Sequence, residues 1–216
     1  MRPRLTDYLP PRNFEPFVKS RLDVKCILDV GCGSNSPHHA RRWFPNAKYS
    51  AIDLYPQYNS CEIDHFYNLD LDSDNLESVP DRAFDLVFFN HVIEHLHNGE
   101  AAIRHLAQKL LPGGTIYIET PSERSVRLPS GVGTLNFYDD PTHVRLYSHA
   151  ELEAAVRDAG LEVKASGIAR SKTWMAMELT IFLPLQAKAL ILKGRPWGHG
   201  LWDLLGFREF IIAVRK

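Results

Sequence analysis

The sequence predicts an α/β fold built on a doubly wound, mostly parallel sheet. Three observations carry that prediction: an apolar run that breaks into a glycine turn (KCILDVGCGSN), a second run that ends in an acid (KYSAID), and the alternation of such runs with helix-patterned segments. Ligands of such sheets sit outside the carboxyl ends of the strands.

The elements follow in order. Lys25 to Val30 reads as the first strand, and a helix from His38 to Phe44 ends at Pro45 and Asn46. Lys48 to Asp53 is the second strand, Phe66 to Leu69 a weaker third and Phe84 to Asn90 (FDLVFFN) a strong fourth. The helix from Glu100 to Leu111 places Ile103, Leu106, Ala107 and Leu110 on one face, with Pro112, Gly113 and Gly114 as its stop. Thr115 to Glu119 makes a fifth strand. Residues 121–147, rich in Pro, Gly, Ser and charge, form a long loop over the carboxyl edge. Ser148, with Glu151 three residues on, caps a helix that ends at Gly160. Leu161 to Ile168 and Phe207 to Val214 close the sheet as two further strands. Residues 1–23 read as a polar lead-in or lid, and 24–216 as a single domain in which the loop 121–147 and an insert, 169–206, cap the substrate site. Within the insert, the apolar stretch Thr173 to Lys193 is broken by Glu178, Pro184, Gln186 and Lys188, too polar for a spanning helix. It remains a candidate for peripheral membrane contact or for a homodimer interface.

Composition narrows the function classes. With 44% hydrophobic residues the chain can bury a core, and 25 basic against 26 acidic residues give a net charge of −1, so nothing global points to nucleic acid. Cys26, Cys32 and Cys61 form no CxxC pair, which argues against a disulfide framework and places the protein in a reducing cytoplasm. The first residues lack the apolar core of a secretory signal.

The glycine turn and the acid after it define a nucleoside site. Gly31 and Gly33, either side of Cys32, let the backbone turn sharply off strand one and leave amides near a ligand. Asp53 follows at the distance at which a carboxylate takes both hydroxyls of a ribose. The third glycine of a dinucleotide fingerprint is missing and so is a Walker lysine, so the site suits a nucleoside without a long phosphate chain. Asn35, tolerant of left-handed backbone, takes the next turn position.

Taken together, ILDVGCGSN, Asp53, NLDLDSDNLESVPDRAFDLVFFNHVIEHL and LLPGGTIYIETP resemble a class I methyltransferase that uses S-adenosylmethionine. The resemblance covers about residues 24–168 and implies the Rossmann-like, seven-stranded sheet of that superfamily with an antiparallel last strand. It assigns the methionine end of the cofactor to Asp29 and the Gly31 to Gly33 turn, and the ribose to Asp53 with Leu54 beside it. Asp70 and Leu71 flank the adenine, with Asp72 as a rival, and Asn90 faces the methionine group and the acceptor.

His91, Glu94 and His95 spell H-x-x-E-H, the order of one class of zinc peptidases. Their place at the end of strand four, beside the expected methyl donor, fits a methyltransferase pocket instead. On a helical turn the three share one face and His97 points elsewhere. Similar E-x-x-E-H segments occur in small-RNA 3′-end methyltransferases and in O-methyltransferases of ubiquinone synthesis, where they hold a divalent metal with a later histidine. The counterpart here is His143. The expected cluster is therefore His91, Glu94, His95 and His143, with Glu94, His95 and His143 as candidate metal ligands, and three roles stay open for it: metal binding, proton abstraction or positioning of the substrate, and structure. Asp139 and Asp140 read as a turn. The expected activity is O-methylation of a small molecule or glycan; RNA 2′-O-methylation and a non-catalytic cofactor-binding subunit are the alternatives.

Overall fold

A computed structural model describes residues 9–20, 23–130, 135–193 and 201–216. Parts of the expected lead-in, the tip of the loop 121–147 and the end of the insert therefore lie outside the described residues. Five strands, β1 (Cys26–Val30), β2 (Lys48–Asp53), β3 (His65–Asn68), β4 (Phe84–Asn90) and β5 (Leu110–Pro121), run parallel. β6 (Leu161–Ile168) and β7 (Arg208–Arg215) complete the sheet in the order β3-β2-β1-β4-β5-β7-β6, with β7 antiparallel to both neighbours. The expected seven-stranded sheet with an antiparallel last strand is the one observed.

The two faces carry separate cores. One packs α3 (Gly99–Lys109) and α4 (His149–Asp158) on Val87, Phe89, Ile116, Ile118 and Ile211, with Ile103, Leu106, Leu152 and Val156 as the helix contributions. Each helix is capped as its sequence requires: the Asn98 side chain accepts from the Ala101 amide, and Ser148 and Glu151 form a capping box. The other face receives α2 (Ser36–Trp43) and α1 (Glu15–Ser20). Phe14 stacks on Phe88 at 4.6 Å and Phe17 meets Phe88 and Tyr117 edge-on, so the end of the lead-in is a core element as well as a polar strap.

β5 starts earlier than the helix stop suggests. Pro112, Gly113 and Gly114 lie inside it, where Leu110 pairs with Phe84 and a register shift follows. Gly114 is required there, because a Cβ would meet the Phe84 carbonyl oxygen at 2.8 Å. The insert forms α5 (Lys172–Met177), a π turn (Glu178–Phe182), α6 (Leu183–Lys193) and α7 (Trp202–Leu205). Pro184 cannot donate to the preceding turn, and the widened π turn directly before it absorbs that loss. Among the described residues no helix is long and apolar enough to cross a membrane.

Candidate functional site

The carboxyl ends of β1, β2, β4 and β5 build the site. At the end of β1, Gly31 (φ 71°) and Gly33 (φ 55°) adopt left-handed backbone, and the Gly31 amide donates to the Ile52 carbonyl at 2.8 Å. A Cβ on Gly31 would overlap the Val92 side chain, whereas one on Gly33 would meet nothing within 4 Å. One glycine is thus demanded by packing and the other borders open space. Asp53 is buried, and its Oδ2 accepts the Gly33 amide at 2.9 Å and its Oδ1 the Tyr55 amide at 3.0 Å. The Cys32 thiol lies 3.8 Å from the same Oδ2. Leu54 is 52% exposed and presents an apolar surface beside Asp53.

Asp29, also buried, accepts hydroxyl bonds from Tyr49 at 2.6 Å and from Ser36. Burial pushes its carboxyl up to about 6, although both hydroxyls favour the ionised form. Asn35 departs from expectation. It is the N-cap residue of α2 with φ −105°, an ordinary right-handed backbone, and its side chain caps nothing, because Pro37 already suits the first helical turn. On β4, Asn90 buries its Oδ1 without a hydrogen-bond partner.

Asp70 and Asp72 separate clearly. Asp72 is committed to the turn after β4, accepting from the His97 and Asn98 amides and from His97 Nδ1 at 3.0 Å. Among the described residues the Asp70 carboxylate accepts only the Asp72 amide, at 3.0 Å, while its carbonyl takes the Ser73 and Asp74 amides, and half-buried Leu71 lies next to it. His97 is exposed and takes no part in the group of Glu94, His95 and His143.

The expected four-residue cluster is divided in two. His91 has φ 53°, which breaks the helical continuity on which a shared face depends. Its imidazole turns instead between Glu94 Oε1, at 3.1 Å, and Glu119 Oε1, at 3.2 Å. Burial disfavours the imidazolium, but Glu119 and Glu94 outweigh it and raise the group to about 9. Both ring nitrogens therefore donate, and His91 holds no free lone pair for a proton or a metal.

Glu94, His95 and His143 do converge, offering ligand atoms within 4.8 Å of one another. The Glu94 carbonyl accepts the Val144 and Arg145 amides at 2.8 and 3.1 Å, which docks the later segment on this turn. His95 Nδ1 faces the Thr142 carbonyl at 3.2 Å and His143 Nδ1 the Phe137 carbonyl at 2.6 Å. Carbonyls accept only, and the Thr142 hydroxyl, 3.0 Å from His95 Nδ1, gives its own proton to Asp140, so each Nδ1 carries a proton and a neutral ring has its lone pair at Nε2. Asp139 and Asp140 serve the turn as expected, taking the Asn136 and Thr142 amides.

The family model described as a methyltransferase domain matches residues 3–166. The chain belongs to the class I S-adenosylmethionine-dependent methyltransferases. This methyltransferase is 30% identical over 165 residues to the ubiquinone biosynthesis O-methyltransferase of Xanthomonas euvesicatoria pv. vesicatoria, a match that covers 68% of each chain. A relative of the same name from Xanthomonas oryzae pv. oryzae is 34% identical over 115 residues, which is 47% of that protein. The fold is also that of an S-adenosylmethionine dependent methyltransferase from Mesorhizobium loti, with a TM-score of 0.62 and 16% identity, covering 94% of this chain and 98% of that one. As a methyltransferase, the chain does not keep the role of a non-catalytic subunit weighed above.

The residues fit the methyl donor on two counts. Gly33 borders open space beside the Asp53 carboxylate, and the unpartnered Asn90 Oδ1 is an acceptor in want of a donor, such as an ammonium.

Sequence reasoning missed a buried ionic chain. Arg208 Nη1 meets Glu119 Oε2 at 2.5 Å and its Nη2 meets Asp203 at 3.0 Å, while Arg12 pairs with both Asp203 and Glu178. Tyr117 donates to Glu119 at 2.6 Å. Charged residues inside apolar strands, Glu119 in TIYIE and Arg208 at the head of FREFIIAV, were the signal available.

Proposed function

We propose that this methyltransferase methylates a hydroxyl oxygen of a small molecule or glycan, with the acceptor held above β4 and β5 by the loop 121–147 and the insert 169–206. The observation that carries the reading is the pair of imidazoles, His95 and His143, whose Nδ1 atoms face the Thr142 and Phe137 carbonyls and which converge with the buried Glu94 to within 4.8 Å. The printed name of the Xanthomonas relatives, an O-methyltransferase, supports oxygen as the acceptor atom.

Asp29 and the Gly31–Cys32–Gly33 turn receive the methionine end of the donor, Asp53 and Leu54 the ribose, Asp70 and Leu71 the adenine, and Asn90 Oδ1 the ammonium. When bound, S-adenosylmethionine supplies a methyl group on a sulfonium. Alignment of the acceptor with that group supplies most of the rate. The acceptor oxygen forms the new C–O bond as the C–S bond breaks, and its proton passes to an Nε2 of the His95 and His143 pair. In a second form of the reading the imidazole lone pairs go to a metal instead of to a proton: Glu94, His95 and His143 would then make a donor set of one carboxylate and two imidazoles, which suits a borderline divalent ion better than magnesium. Such an ion would lower the acceptor hydroxyl's pKa. His91 serves by holding Glu94 and Glu119 in place.

Transfer of labelled methyl groups into pools of hydroxylated metabolites, glycans and RNA, with and without chelator, tests the reading. Label in the metabolite or glycan pool is expected, and label only in RNA sinks the acceptor assignment. Glu94→Ala and His143→Ala are expected to lose activity at least about a hundredfold; full activity in both removes the triad from the mechanism.

A further inference from the structure

We propose that the helical insert docks this protein on an anionic phospholipid surface. From Lys172 to Lys193, α5, the π turn and α6 follow one another without a break. One side of this run faces the body. Ser171, Trp174 and Glu178 are buried there, Trp174 Nε1 donates to the Pro10 carbonyl at 3.3 Å, and Glu178 takes Arg12 and the amides of Asp203 and Leu204.

Among the described residues the other side is bare. Leu179, Leu183, Ala187 and Ile191 recur every four residues and are exposed, and Leu185, across α6 from Leu183, is exposed as well; Ile191 is 81% exposed and Leu179 52%. Scattered exposed leucines are ordinary, but a row of large apolar side chains along one helical run forms a patch that asks for a partner.

The charges select that partner. Residues 169–193 contain four basic residues, Arg170, Lys172, Lys188 and Lys193, and one acid, Glu178, in a chain whose net charge is −1. The acid is buried against Arg12, while Arg170, Lys172 and Lys188 are exposed. An apolar stripe edged with cations and free of exposed acid is the composition of a helix that lies among lipid headgroups. A second copy of this chain is the poorer occupant, because a two-fold contact on this face would bring like charges together. Glu178, which anchors the run, shares Arg12 with Asp203, and Asp203 pairs with Arg208, which meets Glu119 on β5, so the patch is held in fixed relation to the acceptor side of the sheet.

Flotation of the intact protein with phosphatidylcholine vesicles, with and without phosphatidylglycerol, tests the proposal. The protein is expected to float with the anionic vesicles and to be released by salt. Leu183→Glu with Ile191→Glu should weaken that binding at least about tenfold, and Lys172→Glu with Lys188→Glu roughly fivefold or more per charge. These side chains are exposed, and calorimetric binding of S-adenosylmethionine should be unchanged in both variants. That readout separates failure of the docking surface from failure of the methyltransferase site. No flotation of the parent protein, flotation that neither variant weakens, or a dimer in sedimentation that the glutamate variants dissolve would each overturn the proposal.

Discussion

Two buried carboxylates at the same edge of the sheet are treated in opposite ways. Asp29, at the end of β1, has only hydroxyl partners, and burial holds it up at about 6. Glu119, at the end of β5, is equally buried, yet Arg208 and His91 hold it far below the usual carboxylate range. The first side of the edge is left electrostatically incomplete, and a cationic ligand can complete it. The second is neutralised by the protein itself, so its charges build the frame, and the chemistry we propose falls to Glu94, His95 and His143.

The sharpest way to break the contrast is Arg208→Met. It strands Glu119 and Asp203 as buried charges, and a loss of about 3–5 kcal/mol is expected in denaturant unfolding, with part of it restored by adding Glu119→Gln. An unchanged midpoint would mean that the framing charges are not load-sharing at all. On the other side, Asp53→Ala should leave the fold intact and weaken donor binding about a hundredfold, by ~3 kcal/mol, in calorimetry.

Most of the fold was legible because its signals are local. The glycine turn, the acid ending β2 and the apolar runs each lie within a few residues, and the His95 and His143 pair could be named from the spelling around it. His91 was misplaced because its positive φ cannot be read from residue type, and a helical turn was the natural assumption. The ionic chain was illegible for another reason. Arg12 meets Asp203 across 191 residues and Glu119 meets Arg208 across 89, and no spacing rule reaches that far.

A pH series sharpens the comparison with smaller effects. Asp29 has its folded value raised above the unfolded one, so the stability that its proton brings is present below about 4 and lost as pH rises through about 6. Donor binding has the opposite sign, since a cationic ligand prefers the ionised carboxylate: affinity should rise through about pH 6. Tyr49→Phe removes a bond that favours the ionised form and should move that midpoint upward, as measured by calorimetry across pH. Asp29→Asn should flatten the profile.

The smallest effect belongs to Glu209, buried on β7 with Oε1 unpartnered and 3.9 Å from His149 at Oε2. Burial, with Glu123 nearby, raises it to about 8, so the stability that its proton brings is full below about 4.5 and is lost as pH rises through about 8. Glu209→Gln should therefore match the parent at pH 5 and exceed it by roughly 1–2 kcal/mol at pH 9. Equal thermal midpoints at both pH values would show that Glu209 finds a partner when ionised.

The position of β7 has a consequence for synthesis. It is the last strand in the sequence, yet it lies between β5 and β6 and brings the guanidinium that neutralises Glu119. A nascent chain that has emerged only as far as β6 therefore carries an open edge on β5, a β6 with no neighbour and an acid without its cation. Closure of the sheet waits for residues 208–215 to leave the ribosome, and the ion pair of Glu119 and Arg208 is completed in that same late step.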